Sequence, residues 1–155
     1  MALDDGATIP DLDLTLPDGG PLRLRNFIGR PVVIYFYPKD DTTGCTREAQ
    51  AFSDRIEAFK AADTAVLGIS RDTPASHRKF IAKYDLAVPL ASDEDGSVTE
   101  AFGVWIEKSM YGRRYMGIDR STFLFDAAGT LVRSWRKVKV AGHADEVLEA
   151  ARALA

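Results

Sequence analysis

The fold is decided between residues 32 and 61, which read VVIYFYPKDDTTGCTREAQAFSDRIEAFKA. Residues 32–37 are a continuous run of β-branched and aromatic side chains, typical of a strand buried on both faces. A polar loop of turn-forming residues follows, with Thr42 or Thr43 as a plausible helix N-cap. Apolar residues then recur at spacings of three and four, which predicts one amphipathic helix from about Cys45 to Ala61.

Outward from this segment, the rest of the chain alternates strands and helices. The further elements expected are strands at 65–70 and 88–91, a helix that starts at Pro74, a brief helix around 98–102, a hairpin of strands 121–125 and 131–135, and a closing helix from His143. This order predicts an α/β fold with a mixed central sheet and helices on both faces. Without repeats or linkers, we expect a single domain over residues 1–155.

Composition excludes several classes of protein. Among 155 residues, 46% are hydrophobic and 28% charged, with a net charge of −3, so bulk charge attracts neither nucleic acid nor an anionic membrane. The longest apolar run, residues 32–37, is far shorter than the roughly 20 residues of a membrane helix. The first residues contain no apolar stretch, so we expect no secretory signal. One cysteine permits no internal disulfide, which suits a reducing compartment, and we expect a cytoplasmic protein.

The position of that cysteine, Cys45, suggests reactivity. A lone cysteine is ordinarily an inert, buried residue, but a helix start with a nearby cation favours the nucleophilic thiolate. Cleavage of a peroxide bond by a thiolate also needs donors that stabilise the charge on the departing oxygen. The hydroxyl of Thr42 and the guanidinium of Arg120 are suited to this, while Pro38 can shield the sulfur from water. We therefore expect a sulfur that an oxidant can reach, although spacing alone does not bring Arg120 to it.

The same residues resemble a known family. Pro38, Thr42 and Cys45 match the Pro-x-x-x-Thr-x-x-Cys motif of the peroxiredoxins, and residues 36–46 (FYPKDDTTGCT) resemble their bacterioferritin comigratory protein, or peroxiredoxin Q, subgroup. The likeness extends through 89–93 (PLASD), 102–105 (FGVW), 117–124 (GIDRSTFL) and 142–144 (GHA). The resemblance implies a thioredoxin-like fold and a thiol peroxidase that needs no cofactor and serves antioxidant defence.

The resemblance also implies a role for each site residue. Cys45 resembles the peroxidatic nucleophile, Thr42 and Arg120 the groups that hold peroxide and thiolate, and Pro38 the shield. Glu48 matches an acidic position one turn into the helix, and we assign it to orienting Arg120. The implied reaction reduces hydrogen peroxide and organic hydroperoxides to water and alcohols through a cysteine sulfenic acid.

The chain departs from many members of the subgroup in one respect. Those members have a second, resolving cysteine five residues after the first or in the next long helix, but here the first position is Gln50 and the helix 76–84 contains no sulfur. A sulfenic acid on Cys45 must therefore react with an external thiol, from thioredoxin, glutaredoxin or a low-molecular-weight thiol. We expect a monomer or a weak homodimer.

Other interpretations remain open from the sequence. Cys45 could serve a peroxide sensor or redox-signalling module with negligible turnover, or a hydrolase with His77 or His143 as base. His77 is expected on a polar helix face, and His143 at an N-cap or bonded to a turn. A metal site lacks ligand spacing, and residues 93–96 (DEDG) are better explained as a turn than as a calcium loop. An apolar collar for organic peroxides and ordinary core packing are equally compatible with three aromatic residues: Tyr37, Phe80 and Trp105.

Overall fold

The computed structural model describes residues 3–154. The strands are β1 Asp13–Thr15, β2 Pro21–Arg23, β3 Val32–Phe36, β4 Ala65–Ser70, β5 Leu90–Ser92, β6 Trp105–Met110, β7 Arg113–Ile118, β8 Ser121–Phe125 and β9 Leu131–Trp135. The helices are α1 Thr43–Asp54, α2 Ile56–Ala61, α3 Pro74–Tyr84, α4 Ser97–Ala101 and α5 His143–Arg152, with a 3-10 helix at Leu24–Phe27.

Seven strands form one sheet in the order β2-β1-β5-β4-β3-β8-β9, and β6 and β7 form a separate hairpin. The central strand β3 pairs in parallel with β4 and antiparallel with β8. The sheet is therefore mixed, as predicted. All five residues of β3 are buried, as its continuous apolar run indicated.

Two apolar cores lie on opposite faces of this sheet, which confirms the predicted α/β architecture. On one face, the buried side chains come mainly from α1, α2, α3 and α5; they include Phe52, Phe59, Phe80 and Val147. On the other face, they come from α4, the 3-10 helix and the N-terminal segment; they include Ile9, Leu24, Val98 and Phe102. Alternate residues of β3 contribute to the two cores, because successive side chains of a strand point to opposite faces.

Two elements differ from the sequence-based predictions. The single helix expected from Cys45 to Ala61 is divided at Arg55, whose backbone leaves the helical region with φ −109° and ψ 7°. The Arg55 side chain bonds there to the Ala51 carbonyl at 2.9 Å and to Asp145 of α5 at 2.6 Å. The strand expected at 88–91 is Leu90–Ser92 instead. Pro89 has no N–H to donate and joins the ladder only through its carbonyl, which accepts from the Gly68 N–H at 2.9 Å, so the strand itself begins at Leu90.

Two hairpins, β1–β2 and β6–β7, were not predicted from the sequence. The first pairs Asp13–Thr15 with Pro21–Arg23 and extends the sheet beyond β5. The second pairs Trp105 with Ile118 through Met110 with Arg113, just before β8. Within residues 3–154, no helix has the length and apolar character needed to cross a membrane.

Candidate active site

Cys45 is the third residue of α1, and Thr42 is the N-cap, as the sequence suggested. The loop from Tyr37 to Thr42 leads directly from the central strand β3 to this helix. The Thr46 N–H donates to the Thr42 carbonyl at 2.8 Å, which is the first bond of the helix. The N–H groups of Cys45 and of the two residues before it therefore have no intrahelical acceptor, and they concentrate positive potential beside the sulfur.

Strand register brings Arg120 to Cys45 across 75 residues of sequence. Ser121, the first residue of β8, pairs with Phe36, the last residue of β3. Arg120 therefore emerges next to the loop that follows β3. Its Nη2 donates to Cys45 Sγ at 3.3 Å, and its Nη1 donates to Glu48 Oε1 at 2.7 Å. The structure thus places three of the five predicted site residues in one hydrogen-bonded group.

Glu48 and Arg120 each shift the pKa of the other. Burial raises the pKa of Glu48 to about 7, against the opposing effect of the Arg120 guanidinium. Burial alone acts to lower the pKa of Arg120, but the charges of Glu48 and Cys45 outweigh it, so that this pKa is raised. Arg120 therefore remains a cation beside the sulfur. The second carboxyl oxygen of Glu48, Oε2, is buried and has no hydrogen-bond partner among residues 3–154.

The thiol is covered in this conformation, which differs from the expected open approach. Cys45 is 1% exposed because the first turn of α1 packs into the core on that face of the sheet. Arg120, with 18% of its side chain exposed, contacts the sulfur and also reaches the surface. Pro38 and Thr42 are exposed on the preceding loop, where the Thr42 hydroxyl donates to the Lys39 carbonyl at 2.9 Å.

A cleft of about 340 Å³ separates this loop from the β6–β7 hairpin. Its lining includes Pro38, Lys39, Trp105, Lys108, Tyr115 and Met116. Burial lowers the pKa of Lys108 in this hairpin; the Arg120 cation acts in the same direction, and the charges of Asp119 and Cys45 act against it. Of the three aromatic residues considered as a collar, Tyr37 and Phe80 belong to the buried core and Trp105 lines the cleft.

Neither histidine faces Cys45 as a base. His77 is fully buried, so its expected place on a polar helix face is wrong; its ring bonds to Asp40 at 2.7 Å and to the Ala91 carbonyl at 3.1 Å. His143 is the first residue of α5, after the N-cap Gly142, and its Nε2 lies 2.7 Å from Thr122 Oγ1. Burial lowers the pKa of His143 to about 4.

The acidic segment 93–96 is a turn that caps α4. The Asp93 carboxylate accepts hydrogen bonds from the N–H groups of Val98 at 3.1 Å and Thr99 at 2.7 Å. Across residues 3–154 we find no group of three or more potential ligands, counting His, Cys, Asp and Glu, placed to hold a metal ion.

Comparisons with known proteins show the family to which the chain is similar. The AhpC/TSA family model matches residues 6–134. The chain is 50% identical over 143 residues to peroxiredoxin Bcp of Xanthomonas campestris pv. campestris, covering 92% of this chain and 89% of that one. It is 44% identical over 149 residues to peroxiredoxin Bcp of Bacillus subtilis, covering 96% and 95%. A solved structure of the Xanthomonas campestris bacterioferritin comigratory protein, described for its alkyl peroxide reduction activity, has a TM-score of 0.90 at 47% identity, covering 97% and 98%.

Proposed function

We propose that this chain, which belongs to the AhpC/TSA family and is a peroxiredoxin, reduces hydroperoxides by direct attack of the Cys45 thiolate. The proposal rests on one observation: Arg120 donates to Cys45 Sγ at 3.3 Å at the N-terminal end of α1. A guanidinium and free helix N–H groups together favour the ionised sulfur, which is the nucleophilic form.

The reaction transfers one oxygen atom to the sulfur. The thiolate attacks the terminal oxygen of the hydroperoxide, an S–O bond forms, and the O–O bond breaks with its electron pair going to the second oxygen. The leaving oxygen takes up the proton of the attacked O–H group and is released as water or an alcohol. Cys45 is left as a sulfenate, which takes up a proton from solvent to become the sulfenic acid; the sulfur is oxidised by two electrons and the peroxide is reduced by two.

Arg120 stabilises the charge that moves from sulfur to the departing oxygen. Its guanidinium has donors in a fixed plane and is held by Glu48 at 2.7 Å, so it needs little reorganisation during the reaction. Thr42 donates to the Lys39 carbonyl at 2.9 Å, which leaves its oxygen lone pairs available to accept a hydrogen bond from the peroxide O–H. Pro38 supports the loop and limits water at the sulfur.

The substrates proposed are hydrogen peroxide and organic hydroperoxides. The cleft beside Pro38 has room for an apolar substituent, with Trp105 and Met116 in its wall. The alkyl peroxide reduction described for the Xanthomonas campestris structure supports the same substrate class. The covered sulfur requires a small opening movement of the first turn of α1 or of Arg120 before a peroxide enters.

An external thiol completes the cycle. The sequence contains one cysteine, so the sulfenic acid reacts with a thiol from another molecule, forming a mixed disulfide and releasing water. A second thiol then restores Cys45 and leaves the reductant as a disulfide. Thioredoxin, glutaredoxin or a low-molecular-weight thiol can fill this role.

Substitution of Cys45 tests the proposal. Hydrogen peroxide consumption with dithiothreitol should disappear in Cys45→Ser, and mass spectrometry of the wild type after brief peroxide exposure should show one added oxygen on Cys45. Undiminished turnover in Cys45→Ser would rule out the mechanism.

Substitution of Arg120 tests the role of the guanidinium in the reaction. Arg120→Ala should slow oxidation of Cys45 by about a hundred-fold or more, as for removal of a donor to a developing anion. Arg133→Ala is the matched control, because Arg133 pairs with Glu146 on the surface at 2.8 Å. Equal oxidation rates in the two arginine variants would remove Arg120 from the reaction.

A further inference from the structure

A buried polar cluster holds the loop that leads into α1 and Cys45, and the reaction above does not use it. Asp40 stands five residues before Cys45, with its carboxylate inside the protein. Its Oδ1 accepts a hydrogen bond from the Tyr37 hydroxyl at 2.5 Å, and its Oδ2 accepts one from the Ser76 hydroxyl at 2.8 Å. The same Oδ2 lies 2.7 Å from Nδ1 of His77, which is fully buried.

The neighbours of His77 define the protons on its ring. Nε2 lies 3.1 Å from the Ala91 carbonyl oxygen, which can only accept, so Nε2 holds a proton. Nδ1 faces the Asp40 carboxylate, and hydrogen bonds donated to a carboxylate favour its ionised form. Burial, reinforced by the charge of Asp40, raises the pKa of Tyr37 well above its usual value, so Tyr37 remains a donor. Both ring nitrogens of His77 thus face acceptor oxygens, an arrangement that suits a ring with a proton on each nitrogen beside the buried Asp40 carboxylate.

Further hydrogen bonds fix the same loop to neighbouring elements of the fold. The Asp40 N–H donates to Asp72 Oδ2 at 2.8 Å, beyond the end of β4. Asp41 has φ +59°, a left-handed conformation that is unfavourable for most non-glycine residues. Its carboxylate accepts hydrogen bonds from Lys83 at 2.7 Å and Tyr84 at 2.6 Å. The loop is thus bonded to α3 along the length of that helix.

We propose that the Asp40–His77 ion pair positions Cys45 for reaction, by fixing the loop 37–42 against α3 and β5. The first turn of α1 begins directly after this loop, so its placement sets the approach of the sulfur to Arg120 and to the peroxide. The inference rests on the proposed reaction of Cys45 with peroxide. Positioning is effective because a displacement of about 1 Å can slow a reaction by roughly a hundred-fold.

Nitrogen-15 NMR of histidine-labelled protein tests the ion pair without any activity measurement. The chain contains two histidines, and His143, with a pKa of about 4, supplies a neutral reference at pH 7. His77 should show two protonated ring nitrogens at neutral pH. In Asp40→Asn, the Nδ1 signal should become that of an unprotonated nitrogen, because the new amide can donate to it. A wild-type His77 with one unprotonated nitrogen would overturn the inference.

Single-turnover oxidation of Cys45 by hydrogen peroxide tests the positioning. Asp40→Ala should slow it by about ten- to a hundred-fold at a temperature where circular dichroism shows a folded protein. Ser53→Ala is the control for destabilisation alone: Ser53 Oγ accepts from the N–H groups of Ala87 and Val88 at 3.1 and 3.0 Å, away from the loop. This control should keep the wild-type oxidation rate.

The outcomes separate the inference from the proposed function. If wild-type Cys45 does not react with peroxide, the proposed function fails. If wild-type Cys45 reacts and folded Asp40→Ala reacts equally fast, the positioning role is wrong while the proposed function stands.

Discussion

Among single residues, Glu48 links the stability of the fold to pH. Burial raises its pKa from 4.5 to about 7, so the folded protein holds this proton more tightly than the unfolded chain does. The resulting stabilisation is fully present below pH 4.5 and is lost as the pH rises through about 7. At 1.36 kcal/mol for each unit of pKa shift, we expect a loss of about 3 kcal/mol in the free energy of unfolding, which Glu48→Gln should abolish.

Urea unfolding of wild type and Glu48→Gln across this pH range measures the effect. His143 acts in the opposite direction: burial lowers its pKa from 6.5 to about 4, so its contribution is present above pH 6.5 and is lost as the pH falls through about 4. Since both proteins contain His143, its effect cancels in their difference. A difference in stability that stays constant with pH would show that the Glu48 carboxyl titrates alike in the folded and unfolded states.

Local sequence was sufficient to identify Cys45 but not its surroundings. The strand, the polar loop and the helix start are adjacent in the chain, so the position of the cysteine followed from periodicity. Arg120 was a candidate for the cation, supported by the resemblance, but the sequence could not bring it to Cys45, because their contact depends on the register of β3 and β8. The Asp40–His77 contact was missed, because Asp40 looked like one more turn residue and the burial of His77 depends on the docking of α3.

At the scale of elements, buried segments were predictable, and the two largely exposed hairpins, β1–β2 and β6–β7, were not. The bounds of β4 and β8 matched because each is a run of five or six mostly buried residues. The bounds of β9, which is largely exposed, matched because the turn 126–129 fixes where it follows β8. The β6–β7 hairpin was missed because its residues are mostly exposed and do not alternate clearly. The available signal was Gly112, which follows Tyr111 in a two-residue turn where both residues have positive φ, 52° and 77°.

This turn gives a stability prediction for the hairpin. Tyr111 is 99% exposed and occupies a left-handed conformation that asparagine adopts more readily. Tyr111→Asn should therefore stabilise the protein by about 1 kcal/mol, raising Tm by about 2–4 °C in a thermal unfolding scan. Tyr115→Asn, within strand β7, is the control and should lower Tm, because asparagine is unfavourable in strands. A lower Tm for Tyr111→Asn would mean that the left-handed conformation of Tyr111 does not destabilise the protein.

At the scale of the whole molecule, one sheet joins two cores. Each residue of β3 contributes to one core or the other, so loss of either core exposes one face of the central strand. The active site depends on the same strand, because β3 delivers the loop to Cys45 and pairs with β8 beside Arg120. We therefore expect the predicted single domain to unfold as one cooperative unit.

The two tryptophans test this expectation, because each packs against a different core. Trp135 contacts the core of α1 and α5, and Trp105 contacts the core of α4. In Trp105→Phe and in Trp135→Phe, urea unfolding followed by the remaining tryptophan should coincide with unfolding followed by circular dichroism. Phe52→Ala and Phe102→Ala, one in each core, should each lower the free energy of unfolding by about 3–5 kcal/mol. The fluorescence of either tryptophan should report the same decrease. Separate midpoints, or a loss seen only by the nearer tryptophan, would show two units that unfold independently on either side of the sheet.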